Sequence, residues 1–85
     1  MNLFDIVKKH IDELDIYSLL AAGAPDDEYD IESEMICADI SADSSEEDIA
    51  RAAAVVFERM FSRKYRPEDF AETAARIRSD IANQG

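Results

Sequence analysis

Ser44-Ser45-Glu46-Glu47-Asp48-Ile49-Ala50-Arg51-Ala52-Ala53-Ala54-Val55-Val56-Phe57-Glu58-Arg59-Met60-Phe61-Ser62 is the stretch that decides the fold. Ile49, Ala53, Val56, Phe57, Met60 and Phe61 recur at three- and four-residue intervals, so one face of a helix gathers the large apolar side chains. Ser44 with Glu47 three residues on has the spacing of a capping box, in which hydroxyl and carboxylate satisfy each other's orphan backbone donors. Arg59, Arg63 and Lys64 suit the negative end of the same helix. A helix from this cap to about Ser62 is therefore the strongest core-forming element of the chain.

Outward from it, Ser41–Ser45 is too short and polar to be a strand and reads as a linker. Before the linker, Asp30 is expected to cap a helix with Ile31, Met35, Ile36 and Ile40 on its apolar side and acids on the other. Ala24 to Tyr29 is a turn fixed by Pro25. Asp15 is expected to cap a short helix through Tyr17, Leu19 and Leu20, which Gly23 ends by accepting a left-handed backbone. The first helix is placed at Leu3–Leu14, with Asn2 as its cap and Asp5 near the positive end of the dipole. Leu3, Val7, His10 and Leu14 form its stripe, broadened by Phe4 and Ile11. On the far side, Pro67 opens a last helix with Glu68 and Asp69 in its first turn and Phe70, Ala74, Ile77 and Ile81 along its buried line. The prediction is an all-α protein: a single domain over residues 1–85, a compact bundle of four to five helices including one short helix.

Composition agrees with that layout. An apolar fraction of 47% is that of a globular chain, and two Gly and two Pro are too few for a disordered or many-turned β protein. One cysteine forms no internal disulfide, MNLFDIVKKH lacks a signal-type apolar region, and no apolar run approaches membrane-spanning length. A cytoplasmic location is expected.

The charge is segregated. From His10 through Ala50 the chain has no Lys or Arg but carries 14 carboxylates, while residues 1–9 sum to +1 and residues 51–85 to +2, giving −11 in all. Mixed signs would keep a protein soluble with less self-repulsion, so this segregation suggests a surface that selects partners by its negative field. Such a field disfavours nucleic acid and anionic membrane and favours a basic protein.

No residue constellation announces catalysis. His10 lies on the apolar stripe of the first helix and reads as a core or boundary histidine, and Cys37 after Met35 and Ile36 reads as a small buried side chain. Asp26, Glu28 and Asp30 alternate like the start of an EF-hand loop, yet Ile31 stands at the position that needs Gly and Cys37 at the one that needs Glu. A loop begun at Asp43 fails likewise, with Asp48 and Ala54 there. No metal, no cofactor and no enzymatic activity are expected. Tyr29 is either an interface anchor or a buried ring whose hydroxyl ties a turn to a helix end, and the second reading is preferred.

The stretch Asp15-Ile16-Tyr17-Ser18-Leu19-Leu20-Ala21-Ala22-Gly23-Ala24-Pro25-Asp26-Asp27-Glu28-Tyr29-Asp30-Ile31-Glu32 resembles the signature of small bacterial all-α proteins of the YugE-like family. The pattern, roughly D-P-x-x-L-L-x-x-G-A-P-x-D-E-Y-D-x-E, is met at Asp15, Leu19, Leu20, Gly23, Ala24, Pro25, Asp27, Glu28, Tyr29, Asp30 and Glu32, and departs at Ile16, where Pro is usual. It covers about a fifth of the chain, and similar sequences also resemble immunity proteins encoded beside secreted toxins. The family has no settled biochemical activity, so the resemblance implies a compact helical fold and no catalytic residues. It also implies that Asp15, Gly23, Pro25, Asp27, Glu28, Tyr29 and Asp30 hold a turn.

Partner selection then falls to Glu34, Asp39, Asp43, Glu46, Glu47 and Asp48. The function expected is that of a non-enzymatic immunity protein whose acidic surface neutralises a nuclease-like toxin. The alternative is a stand-alone YugE-like housekeeping or regulatory module, with room for self-association through leftover apolar helix surface.

Overall fold

Asn2 opens the first helix by accepting a hydrogen bond from the Asp5 N–H at 2.8 Å, and the chain then winds through α1, Leu3–Leu14. The computed structural model describes residues 2–84, and among them the helices are α1, α2 (Asp30–Asp39), α3 (Glu46–Phe61) and α4 (Ala71–Ala82), with a 3₁₀ turn at Pro67–Phe70 leading into α4. No strand occurs among the described residues. This is the all-α bundle read from the sequence. α1 packs on α2 and α4, and α3 packs on the same two from the other side, so the helices form a ring in which α1 and α3 stand diagonally opposed.

The ring closes on α3. Ile49, Val56 and Phe57 point inward, and Ala50, Ala52, Ala53 and Ala54 are buried as well, because a helix gripped on two sides buries more than one stripe. The small alanines let α2 and α4 approach. Phe57 is fully buried and central, its ring 5.3 Å from Phe70, 5.6 Å from Phe61, 6.2 Å from Tyr65 and 6.3 Å from Tyr29. Ile6, Val7, Ile11, Ile36, Ala74 and Ile77 complete the core.

Several local expectations need correction. Residues 16–23 form consecutive turns, not a short helix. Asp15 ends α1 in a left-handed conformation (φ 42°) instead of opening a new helix, and Ser18 is left-handed too (φ 55°). The physical reason is competition. The Asp15 carboxylate accepts from the Leu20 N–H at 3.1 Å and the Ala21 N–H at 2.9 Å, drawing the backbone donors of this segment away from helical partners.

The cap of α3 is Ser45 with Asp48, in place of Ser44 with Glu47: Ser45 Oγ accepts from the Asp48 N–H at 3.1 Å and Asp48 Oδ2 from the Ser45 N–H at 3.2 Å. Ser44 is otherwise engaged, accepting from the Ser41 N–H at 2.9 Å. Asp30 is the first residue of α2, with Tyr29 in the cap position.

Ile31, expected inside, is 60% exposed, whereas Tyr29, Glu32, Ser33 and Ile36 face the interior. Anchoring of the buried Tyr29 ring sets the rotation of α2, and Ile31 falls on the outer side. Met60 and Phe61 at the end of α3 are likewise more than a third exposed.

Glu32 is the carboxylate that this rotation places badly. It is buried, and burial, with Glu28 and Asp30 adding repulsion, pushes its pKa up against the hydrogen bond from its own N–H. A carboxyl with a raised folded pKa contributes its full stability below the ordinary value of 4.5 and loses it as pH rises through the folded value. Glu32→Gln, which keeps an acceptor without the charge, is therefore expected to stabilise the protein at neutral pH by on the order of 1 kcal/mol, a few degrees in Tm. The gain should vanish in thermal melts below the ordinary glutamate range, and an equal gain at all pH values would contradict it.

Candidate functional site

α3 begins where the charge is densest. Glu46, Glu47 and Asp48 occupy its first turn, where the positive end of the helix dipole offsets part of their mutual repulsion. Two clefts open beside this turn. One, of about 400 Å³, runs between α3 and the 3₁₀ turn and is lined by Glu46, Glu47, Ala50, Arg51, Pro67, Glu68 and Ala71. The other, of about 360 Å³, lies between the end of α2 and α3 and is lined by Asp39, Ser44, Asp48, Arg51, Ala52 and Val55. Arg51 borders both, its guanidinium 3.7 Å from Asp48 Oδ1. Five carboxylates thus line the two clefts with one cation between them, over a floor of small apolar groups, and Glu68 is paired with Arg66 outside the clefts at 3.9 Å.

Of the residues singled out by sequence, Asp39, Glu46, Glu47 and Asp48 meet at these clefts. Glu34 and Asp43 are exposed but line neither. Three members were missed. Glu68 arrives because the chain after Phe61 doubles back along α3, which no local spacing reveals. Arg51 had a visible signal, being the first cation after the 41-residue gap. Arg78 reaches from α4 to the carbonyl oxygens of Ala42 and Ser44, both at 2.7 Å, and so fixes the linker that leads into the acidic turn.

The Asp15–Asp30 stretch builds a different object. Tyr29 is fully buried and its hydroxyl donates to Asp15 Oδ1 at 2.7 Å while accepting from the Tyr17 N–H at 3.3 Å. Burial alone would raise the Asp15 pKa, but hydrogen bonds from Tyr29, Ala21, Leu20 and Leu19 outweigh it and hold the carboxyl below its ordinary value. Gly23 takes φ 101°, the Pro25 carbonyl accepts from the Glu28 N–H, and the Asp27 carbonyl accepts from the Asp30 N–H, both at 3.1 Å. The Lys8 ammonium then gathers Asp30 Oδ1 at 2.6 Å, the Asp26 carbonyl at 2.7 Å and Asp12 Oδ2 at 3.0 Å. Asp12 and Asp30 are thus tightly paired with Lys8, whereas the ion pairs at the α3 clefts, Arg51 with Asp48 and Arg66 with Glu68, are looser at 3.7 and 3.9 Å.

His10 clasps α1 to α4. Its Nε2 is 2.7 Å from Asp80 Oδ2, and Nδ1 lies 2.9 Å from Glu13 Oε1, off the line of a hydrogen bond. The pairing with His10, reinforced by Lys9, holds the Asp80 carboxyl below its ordinary value despite burial. Both imidazole nitrogens face carboxylates, and among the described residues no nucleophile is hydrogen-bonded to either. Burial pushes the Cys37 thiol up to about 11, which leaves it protonated and unreactive at neutral pH. Among the described residues no group of three or more His, Cys, Asp or Glu side chains is arranged to hold a metal ion.

Fold and site together define a small all-α domain with a bipartite acidic cleft, in which no described helix is long and apolar enough to cross a membrane. Compared with protein-family models, with curated proteins and with solved structures, the chain matches none.

Proposed function

We propose that this chain is a non-enzymatic immunity protein of YugE-like kind, which neutralises a nuclease-like toxin by laying the first turn of α3 over the toxin's basic substrate groove. The observation that carries the reading is the pair of clefts sharing Arg51, where Asp39, Glu46, Glu47, Asp48 and Glu68 stand without a matching number of cations. Carboxylates at such spacing can take the places of substrate phosphates against Arg and Lys, and their summed field steers the encounter. The apolar floor of Ala50, Ala52, Val55, Pro67 and Ala71 supplies the desolvated contact that charge alone does not.

Co-expression with the neighbouring gene's product tests the proposal. A complex should form and toxicity should be suppressed, and Glu46→Lys with Glu47→Lys should slow association about tenfold at low salt, with a smaller effect at high salt. Absence of both complex and protection rejects it and leaves the stand-alone module as the reading to pursue.

A further inference from the structure

In a chain with 20 Asp and Glu against nine Lys and Arg, every cation has carboxylates to choose from. Most choose one: Lys8, Lys9, Arg51, Arg66 and Arg76 form ion pairs, and Arg78 binds two carbonyls. Among the described residues Arg59, Arg63 and Lys64 form none, and all three are exposed where α3 ends. Arg63 instead lies over the Tyr65 ring, 5.9 Å from its centre. Beside it a cleft of about 330 Å³ is lined by Ile16, Tyr17, Arg63, Lys64, Tyr65 and Asp69. The hydroxyls of Tyr17 and Tyr65 are hydrogen-bonded to each other. Burial, then that bond, pushes the Tyr65 phenol up to about 12, so it stays neutral and adds no negative charge to the cleft. Phe61, its ring tilted against Tyr17 with centroids 4.6 Å apart, and Met60 leave apolar surface exposed at the same end.

The two ends of α3 are complementary. Its 16 residues rise about 24 Å, separating the acidic clefts from the cationic, aromatic end, so one molecule cannot close the pair upon itself. We propose that the cationic end of α3 docks the acidic first turn of α3 from a second copy of this chain, head to tail. Arg59, Arg63 and Lys64 of one copy meet Glu46, Glu47 and Asp48 of the next, and the exposed Met60 and Phe61 lie against the apolar floor of the neighbour's cleft. The net charge of −11 does not forbid this. The Debye length at physiological salt is about 8 Å, so repulsion between molecules whose shortest extent is 20 Å is largely screened while contacting pairs are not. A head-to-tail contact leaves one free surface at each end and so extends into chains or rings of copies rather than stopping at a symmetric dimer. It also covers the surface assigned above to a basic partner, although the docking itself does not rest on that assignment.

Sedimentation velocity with complementary variants tests it. The wild type should show mass increasing with concentration. Arg63→Glu with Lys64→Glu, and separately Glu46→Arg with Glu47→Arg, should each weaken self-association about tenfold or more. All these positions are on the surface, and circular dichroism is the check that each variant is folded. Mixing the two variants should restore association, because each supplies an intact end for the other and the reversed charges at the remaining two ends are again opposite. A wild type that stays monomeric at millimolar concentration overturns the proposal. So does association indifferent to both variants, or a mixture that does not pair. Binding of an acidic polymer at this end without self-association would also overturn it and assign the surface to another partner.

Discussion

Phe57→Ala is expected to lower stability by about 3–5 kcal/mol, a large share of what a domain of this size possesses. The ring touches four other aromatics and is fully buried on a helix that packs against both α2 and α4, so no neighbour can collapse into the space without abandoning another contact. Phe57→Leu keeps part of the volume and should cost roughly half as much, while Met60→Ala, three residues along the same helix but 40% exposed, should cost about 1 kcal/mol or less. Urea unfolding measures all three. A loss below that of Met60→Ala would mean that Phe57 is not the centre of the core.

Tyr29 carries the second large effect, and its two parts can be separated. Tyr29→Ala removes the ring and should cost about 3–5 kcal/mol. Tyr29→Phe keeps the ring and removes only the hydroxyl that joins Asp15 to the Tyr17 N–H, for which about 1–2 kcal/mol is expected. The pH dependence identifies the partner. Because the Asp15 pKa is held down in the folded state, its contribution is present above the ordinary value of 3.8 and is lost as pH falls through the lowered one. Asp15→Asn should therefore flatten the acid limb of the stability curve, and Tyr29→Phe should flatten it in part. An acid limb unchanged in both variants would show that the turn is held by something else.

These two residues also mark how far the sequence could be read. Phe57 was legible because α3 is long and its apolar residues keep the helical period through several turns. α1 was legible for the same reason, together with the Asn2 cap. Residues 16–23 were not. Leu19 and Leu20 have the look of a helix, and the outcome was decided by a side-chain carboxylate outbidding helical carbonyls for backbone donors. Ser44 and Ser45 each have an acid three residues on, so spacing alone could not choose the cap; the hydroxyl claimed by the Ser41 N–H decides it. Which acids converge was legible only in part, since Asp39 meets Asp48 through helix packing and Glu68 meets Glu46 through a chain reversal.

The ring order of the helices has a kinetic side. α1 with α2, α2 with α3 and α3 with α4 are neighbours in the chain, and each pairing closes only a short loop. The pairing of α1 with α4, clasped by His10 and Asp80 across 70 residues, closes a loop nearly as long as the whole molecule. Loop-closure entropy grows with length, so the three local pairings are favoured to nucleate first and the clasp to form late. The Asp80 partnership then acts mainly on how long the folded molecule persists, and the aromatic packing around Phe57 on how quickly it is reached.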